Sequence, residues 1–126
     1  MPRLLRAAVT GIGAYVPGRV MTNADFEKIV DTSDEWIVQR TGVRERHIVG
    51  EGESTATMAT AAGRQAIQKA GVKPEQLDLI IVATVTPDMI LPATACFVQQ
   101  ELGATNAAVF DVSAACSGFL YALTVG

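Results

Sequence analysis

The stretch FDVSAACSGFLYAL, residues 110–123, places one thiol, Cys116, after an apolar run that ends at Asp111 and a turn of small residues, where a helix begins. A thiol there has a chemical use. The first turn of a helix presents unpaired backbone N–H groups and the positive end of the helix dipole. Both favour the thiolate, the nucleophilic form of cysteine. In open α/β sheets ligands bind beyond the carboxyl ends of the strands, and Asp111 and Val112 end such a strand. Ala114, Ala115, Ser117 and Gly118 are small enough to let a substrate approach closely, and backbone N–H groups of the turn are candidates to hold an oxyanion. The layout is like a nucleophile elbow, although Ala114 replaces the first glycine of G-x-S-x-G. The competing reading is a buried structural cysteine, because free cysteine is among the most buried residue types. For Cys96, inside the apolar helix face of ATACFVQQELG, that structural reading prevails.

A second group of residues lies in TSDEWIVQRTG. Trp36 offers a flat face for a purine, and Arg40 follows one helical turn later, so both can face one ligand. A guanidinium suits phosphate oxygens. Trp36 as a core anchor and Arg40 as a solvated charge are the alternatives. The cluster Arg40, Arg44, Arg46 and His47 reads as a solvated face or as a dock for an acidic partner. The lone His47 and two cysteines twenty positions apart make no familiar zinc spacing. The fragment GIG, at Gly11 and Gly13, fails as a dinucleotide fingerprint because Tyr15, Val16 and Pro17 follow where a helix should start.

The elements that must position these residues alternate. Residues 4–12 are β-rich and lead into a loop. TNADFEKIV opens a helix capped by Thr22 or Asn23, with Phe26, Ile29 and Val30 on one face. A second short helix is capped by Ser33 or Thr32 and stopped by Gly42, with Asp34 and Glu35 in its first turn. VRERHIVGEGES reads as a loop or irregular hairpin. Residues 54–70 form an alanine-rich helix ended by Gly71, with Met58, Ala62 and Ala66 on one face. LIIVATV is a continuous apolar run, as a strand buried on both faces requires. Residues 93–102 are helical up to Gly103, AAVFDV is a second buried strand, and a helix begins at the thiol. This order predicts an α/β layer with a mainly parallel sheet and no internal repeat or dividing linker. The last helix has no following element to cover it, so the chain is expected to be the leading part of a larger polypeptide or one piece of a nicked one.

With 126 residues, half of them apolar, the chain can bury a core of about one domain. A net charge of −3 argues against a general nucleic-acid or membrane-surface binder. No apolar run approaches the length of a membrane span, and the N-terminal run is broken by Gly11, Gly13 and Pro17, unlike a signal peptide. A cytosolic location with reduced thiols is expected.

TNADFEKIVDTSDEWIVQRTGVRERHI together with FDVSAACSGFLYAL resembles β-ketoacyl-acyl carrier protein synthase III, the condensing enzyme that initiates type II fatty acid synthesis. The likeness runs from GIGAYVPG to LYAL. It implies an α/β thiolase-like fold with a mainly parallel or mixed sheet. Residues 1–126 would form the N-terminal half of a duplicated layered fold, ending at the start of the nucleophile helix. It implies that Cys116 is the nucleophile taking an acyl group from acyl-coenzyme A, expected to be acetyl-coenzyme A. Trp36 would stack on the adenine of coenzyme A, Arg40 would contact its nucleotide phosphates, and Thr32 would neighbour the adenine. Leu91 matches the position that reaches across a homodimer to the partner's acyl pocket. Family members often carry a bulkier aromatic there, which leaves the acyl-chain preference open.

The same resemblance implies malonyl-acyl carrier protein as second substrate, coenzyme A thioester as substrate rather than cofactor, and no metal or redox cofactor. The mechanism also needs a His and an Asn from the second half of the fold. His47 lies in the N-terminal motif, and Asn23 and Asn106 do not match the catalytic Asn. A complementary C-terminal segment is therefore an expected partner, and the chain alone is expected to reach the first half-reaction at most. Two alternatives stand beside this reading. One is a related thiolase-fold acyltransferase with another donor or acceptor. The other is a non-catalytic coenzyme A-binding or dimerisation piece.

Overall fold

The computed structural model describes residues 7–126. They form two compact units, one of residues 16–53 and one of the flanking segments up to 15 and from 54 onward.

In the larger unit the chemistry of the sequence fixes the element ends. In chain order the elements of the smaller unit come first: β1 (Arg19–Thr22), α1 (Asn23–Phe26), α2 (Asp34–Thr41) and β2 (Glu45–Ile48). Helix α3 (Thr55–Ala70) starts where the Ser54 side chain accepts the Thr57 N–H, and it ends at Gly71 in the left-handed conformation. A single 3-10 turn (Pro74–Gln76) leads to β3 (Leu79–Ala83). Then come α4 (Thr94–Leu102), closed by left-handed Gly103, and β4 (Ala108–Val112). β3 and β4 pair in parallel, with Leu79 beside Ala108 and Ala83 beside Val112. A 3-10 turn (Ala115–Ser117) joins β4 to α5 (Gly118–Val125).

α4 packs on both strands and on α3, and its Val98 and Leu102 form the core with Val82 of β3 and a set of alanines. Small residues let these layers approach closely. The segment before Tyr15 runs against α3: a Cβ on Gly13 would lie 1.9 Å from the Ala62 carbonyl oxygen, and one on Gly11 would lie 2.1 Å from that of Ala66. Gln65 ties the same segment down, its Nε2 donating to the Ala14 carbonyl at 2.8 Å. The GIG fragment is thus a backbone-packing device.

The α/β class and the parallel strand pair agree with the sequence reading. Several details differ. Of the strand expected over residues 4–12, residues 4–6 lie outside the described range and residues 7–12 form no strand. β3 and β4, both expected to be buried strands, are half-buried along most of their length, with Val82 alone fully buried. VRERHI is a strand: β2 pairs antiparallel with β1, Arg19 beside Ile48 and Thr22 beside Glu45.

The smaller unit is organised by polar groups. Thr22 caps α1 through a reciprocal box with Asp25. α1 is a single turn that ends at Phe26, so Ile29 and Val30 fall beyond it and are exposed instead of sharing a helix face with Phe26. Asn23 is buried. Its Nδ2 donates to Asp34 Oδ1 at 2.6 Å and to the Val43 carbonyl at 2.9 Å, and its Oδ1 accepts from Arg46 Nη2 at 2.8 Å. Ser33 caps α2, and left-handed Gly42 ends it, as expected.

Candidate active site

The thiol turn is built by the end of β4. After Val112 the chain must turn from strand to helix within a few residues. Ala115 takes a positive φ of 43°, the only such non-glycine residue among those described. A positive φ is costly for a residue with a Cβ and persists where the surroundings enforce it. Cys116 is exposed and sits within the 3-10 turn, one turn before α5 proper. The Ser117 N–H donates to the Ala114 carbonyl at 3.0 Å, and the Gly118 N–H donates to that of Ala115. Those two donors hold the turn closed and are not free to hold an oxyanion. Gly118 brings α5 against β3: a Cβ there would stand 3.2 Å from the Ala83 Cβ. The turn thus lies at the carboxyl end of the parallel pair, where the sequence placed it.

Asp111 is the residue whose role the sequence did not disclose. Its two carboxylate oxygens accept the N–H groups of Thr94 and Ala95 at 2.7 and 2.8 Å. α4 has no cap of its own, since Ala93 offers no side-chain acceptor. A carboxylate supplied from β4 satisfies the first donors of that helix and complements its dipole. A crevice of about 300 Å³ lies beside this junction, lined by Thr84, Pro87, Met89, Ile90, Asp111 and Ser113 among others. Leu91 stands on the rim-forming loop between β3 and α4 and is 84% exposed.

A groove of about 540 Å³ beside α3 and α4, lined by Thr60, Phe97 and Met89 among others, holds none of the residues singled out from the sequence. Its lining carries the hydroxyls of Ser54, Thr57 and Thr60 but no cysteine. Cys96 is half-buried on α4, as a structural cysteine would be. Among the described residues no group of three or more His, Cys, Asp or Glu side chains is gathered as a metal site.

In the smaller unit α2 carries Trp36 and Arg40, and Thr32 lies just before its cap. Ser33 Oγ accepts the Trp36 N–H at 3.1 Å and fixes the first turn. Trp36 is 55% exposed, and the Arg40 guanidinium carbon lies 5.8 Å from its ring centre. Trp36 is therefore not a core anchor. A concavity of about 330 Å³ is lined by Asp31, Thr32, Ser33 and Trp36. The predicted basic cluster does not act as one group. Arg46 reaches Asn23 and lies over the Phe26 ring at 4.9 Å, and His47 Nδ1 is 2.6 Å from the Pro17 carbonyl. Both are structural, which leaves Arg40 and Arg44 as the outward cations of that set.

The parallel pair with the thiol turn at its carboxyl end and the matching solved structures define a thiolase-like α/β fold. Over the stretch it covers, the chain is similar to β-ketoacyl-acyl carrier protein synthase III. It is 56% identical over 121 residues to the β-ketoacyl-[acyl-carrier-protein] synthase III of Brucella canis, covering 96% of this chain and 38% of that protein. It is 54% identical to the synthase III of Caldanaerobacter subterraneus, over 37% of that protein's length. The crystal structure of 3-oxoacyl-[acyl-carrier-protein] synthase III from Aquifex aeolicus superposes with a TM-score of 0.87 at 53% identity, covering 92% of this chain and 37% of that one. The priming β-ketosynthase of the R1128 polyketide pathway superposes at 0.89 with 42% identity, covering 93% and 35%. No protein-family model matches the chain. The chain spans under two-fifths of the length of the curated relatives it matches.

Proposed function

We propose that this chain is the nucleophile-bearing part of a condensing acyltransferase that initiates type II fatty acid synthesis in the cytoplasm. The Cys116 thiolate attacks the thioester carbonyl of acyl-coenzyme A, acetyl-coenzyme A in the first instance. Coenzyme A leaves as its thiolate, and a covalent acyl-enzyme divides one hard step into two. Malonyl-acyl carrier protein then enters. Its carboxylate leaves as carbon dioxide, the resulting carbanion attacks the acyl carbonyl, and Cys116 is released as β-ketoacyl-acyl carrier protein forms. A His and an Asn on a complementary C-terminal segment would stabilise the carbanion. Written this way, the reaction draws on no metal or redox cofactor.

Trp36, Arg40 and Thr32 are assigned to the adenine nucleotide of coenzyme A. The exposed indole, with a guanidinium beside it and a concavity at its edge, supports that assignment. Leu91 is assigned to the acyl pocket of the partner in a homodimer. The observation that carries the reading is the exposed Cys116 in a turn strained at Ala115 beyond β4.

Intact mass before and after acetyl-coenzyme A tests it. The expected result is one added acetyl group that is lost in the Cys116→Ser variant. An unchanged mass for the protein joined to its C-terminal segment would sink the reading and leave a non-catalytic coenzyme A-binding piece.

A further inference from the structure

The loop of residues 84–93 carries three apolar residues at its tip with almost nothing beneath them: Met89 is 47% exposed, Ile90 96% and Leu91 84%. A loop with such a tip has no burial of its own to fix it. Its two feet, however, are tied down by groups from other elements.

At the first foot the Thr84 N–H donates to the Val112 carbonyl at 3.1 Å, and Thr55 Oγ1 donates to the Thr86 carbonyl at 2.7 Å. Asp88 Oδ2 accepts the Ala56 N–H at 2.9 Å, at the start of α3. At the second foot Asp111 accepts Thr94 and Ala95 at the start of α4, and Thr94 Oγ1 in turn accepts the Asp88 N–H at 3.3 Å. Thr94 and Ala95 are both fully buried. Two carboxylates, each on the N–H groups of a different helix, therefore bracket the apolar tip. Bonds from a carboxylate to backbone N–H groups are charge-assisted and stronger than neutral ones. Asp111 also belongs to the strand that leads to Cys116 five residues later, so one side chain ties both the loop and the thiol turn to α4.

We propose that Asp88 and Asp111 are positioning residues for acyl-chain selection, latching the 84–93 loop so that Leu91 stands at a set distance from the acyl pocket it helps to close. This rests on the acyltransferase reading above. Both carboxylates act through the loop, by holding backbone N–H groups of α3 and α4. Loosening either foot lets the tip swing, and a longer acyl chain then meets less resistance.

The test is a competition on the full-length protein. Equal amounts of acetyl- and hexanoyl-coenzyme A are offered, and the ratio of the two adducts on Cys116 is read by intact mass. A variant that merely loses folded protein lowers both adducts together and leaves the ratio alone. Leu91→Ala serves as the reference and is expected to shift the ratio toward hexanoyl by roughly three- to tenfold, the range of one or two methylenes in an apolar pocket. Asp88→Asn is expected to shift it in the same direction with acetyl transfer retained, and Asp88→Glu to return part of the selectivity. A shift in Leu91→Ala with none in Asp88→Asn and Asp111→Asn overturns the latch while leaving the acyltransferase reading intact. No shift in Leu91→Ala removes Leu91 from the acyl pocket and the latch with it. The absence of any adduct on the parent protein overturns the function itself.

Discussion

Asn23 has no freedom left: both of its amide hydrogens and its carbonyl oxygen are spent on Asp34, Val43 and Arg46, and the side chain is 2% exposed. Truncating it takes a partner from the half-buried Arg46 guanidinium and from the Val43 carbonyl, while the exposed Asp34 carboxylate can turn to water. Asn23→Ala is expected to cost roughly 2–4 kcal/mol, read as a lower urea midpoint, because groups left unsatisfied near charge cost more than the bond itself contributes. Asp25 shows the opposite case. The hydrogen bond from Lys28, then those from Thr22, hold its carboxyl well below the usual carboxylate range. A lowered folded value means that its contribution is present at neutral pH and fades as pH falls below the ordinary carboxylate range. The side chain is about half exposed, at 45%, so solvent screening keeps that contribution small. An Asp25→Asn variant is expected to differ slightly from the parent at neutral pH, with the gap closing on acidification in urea titrations at several pH values. Trp36 belongs to this scale as well. Replacing an exposed indole by alanine removes a stacking face and little packing. Trp36→Ala is therefore expected to raise the KM for acetyl-coenzyme A by roughly tenfold, with melting temperature nearly unchanged.

At the scale of elements, two glycines near the thiol turn and its supporting helix make unequal demands. A methyl group at Gly13 would overlap the Ala62 carbonyl oxygen at 1.9 Å, backbone against backbone, with no soft neighbour to move. A methyl at Gly118 would meet the Ala83 Cβ at 3.2 Å, a contact that a few tenths of an ångström relieves. Gly118 has helical φ and ψ of −55° and −45°, so alanine also gains helix propensity there. Gly13→Ala is expected to cost roughly 2–4 kcal/mol and Gly118→Ala less than about 1 kcal/mol, compared by urea denaturation. The same contrast explains which elements could be read from the sequence. Ser33, Gly42, Gly71 and Gly103 mark helix ends by local chemistry and lie where that chemistry puts them. β1 and β2 were not legible as a strand pair, because RVMT and ERHI have no continuous apolar run and their pairing spans more than twenty residues. The α1 helix was read too long for a related reason: Phe26, Ile29 and Val30 have helical spacing, but Ile29 and Val30 find nothing to pack on. The thiol turn was legible from strand, small residues and helix in succession. The carboxylate latches were not, since Asp88 and Asp111 act on backbone N–H groups far away in sequence and leave no pattern in it.

For the whole molecule the distribution of burial decides which part opens first. Among the buried hydrophobic residues, Ile37 alone belongs to the unit of residues 16–53; Ala56, Val82, Ala95, Val98, Leu102, Ala104 and Ala107 all belong to the larger unit. A unit of under forty residues with one buried hydrophobic side chain cannot draw much stability from a core of its own. It is held by a two-stranded ribbon and by the polar hub at Asn23. A two-stranded ribbon is marginal in water, and a polar hub fails as a whole once one member is lost. The larger unit instead has a parallel strand pair, two packed helices and an alanine-lined interior, in which Thr60 Oγ1 is the one buried side-chain polar atom without a partner among the described residues. Opening free energies in a native protein range from near zero to the global value, and the low end falls where apolar contacts are fewest. Backbone amides of β2 are therefore expected to exchange with deuterium at least about tenfold faster than those of β3, a gap of about 1.4 kcal/mol in opening free energy. Peptide-resolved hydrogen exchange reads both strands in one experiment. Equal protection of residues 45–48 and 79–83 would show that the smaller unit shares the larger one's cooperativity. A slower β3 in the parent, with Asn23→Ala accelerating β2 further and leaving β3 unchanged, would show that the polar hub sets the opening of the unit carrying Trp36 and Arg40 separately from the core behind Cys116.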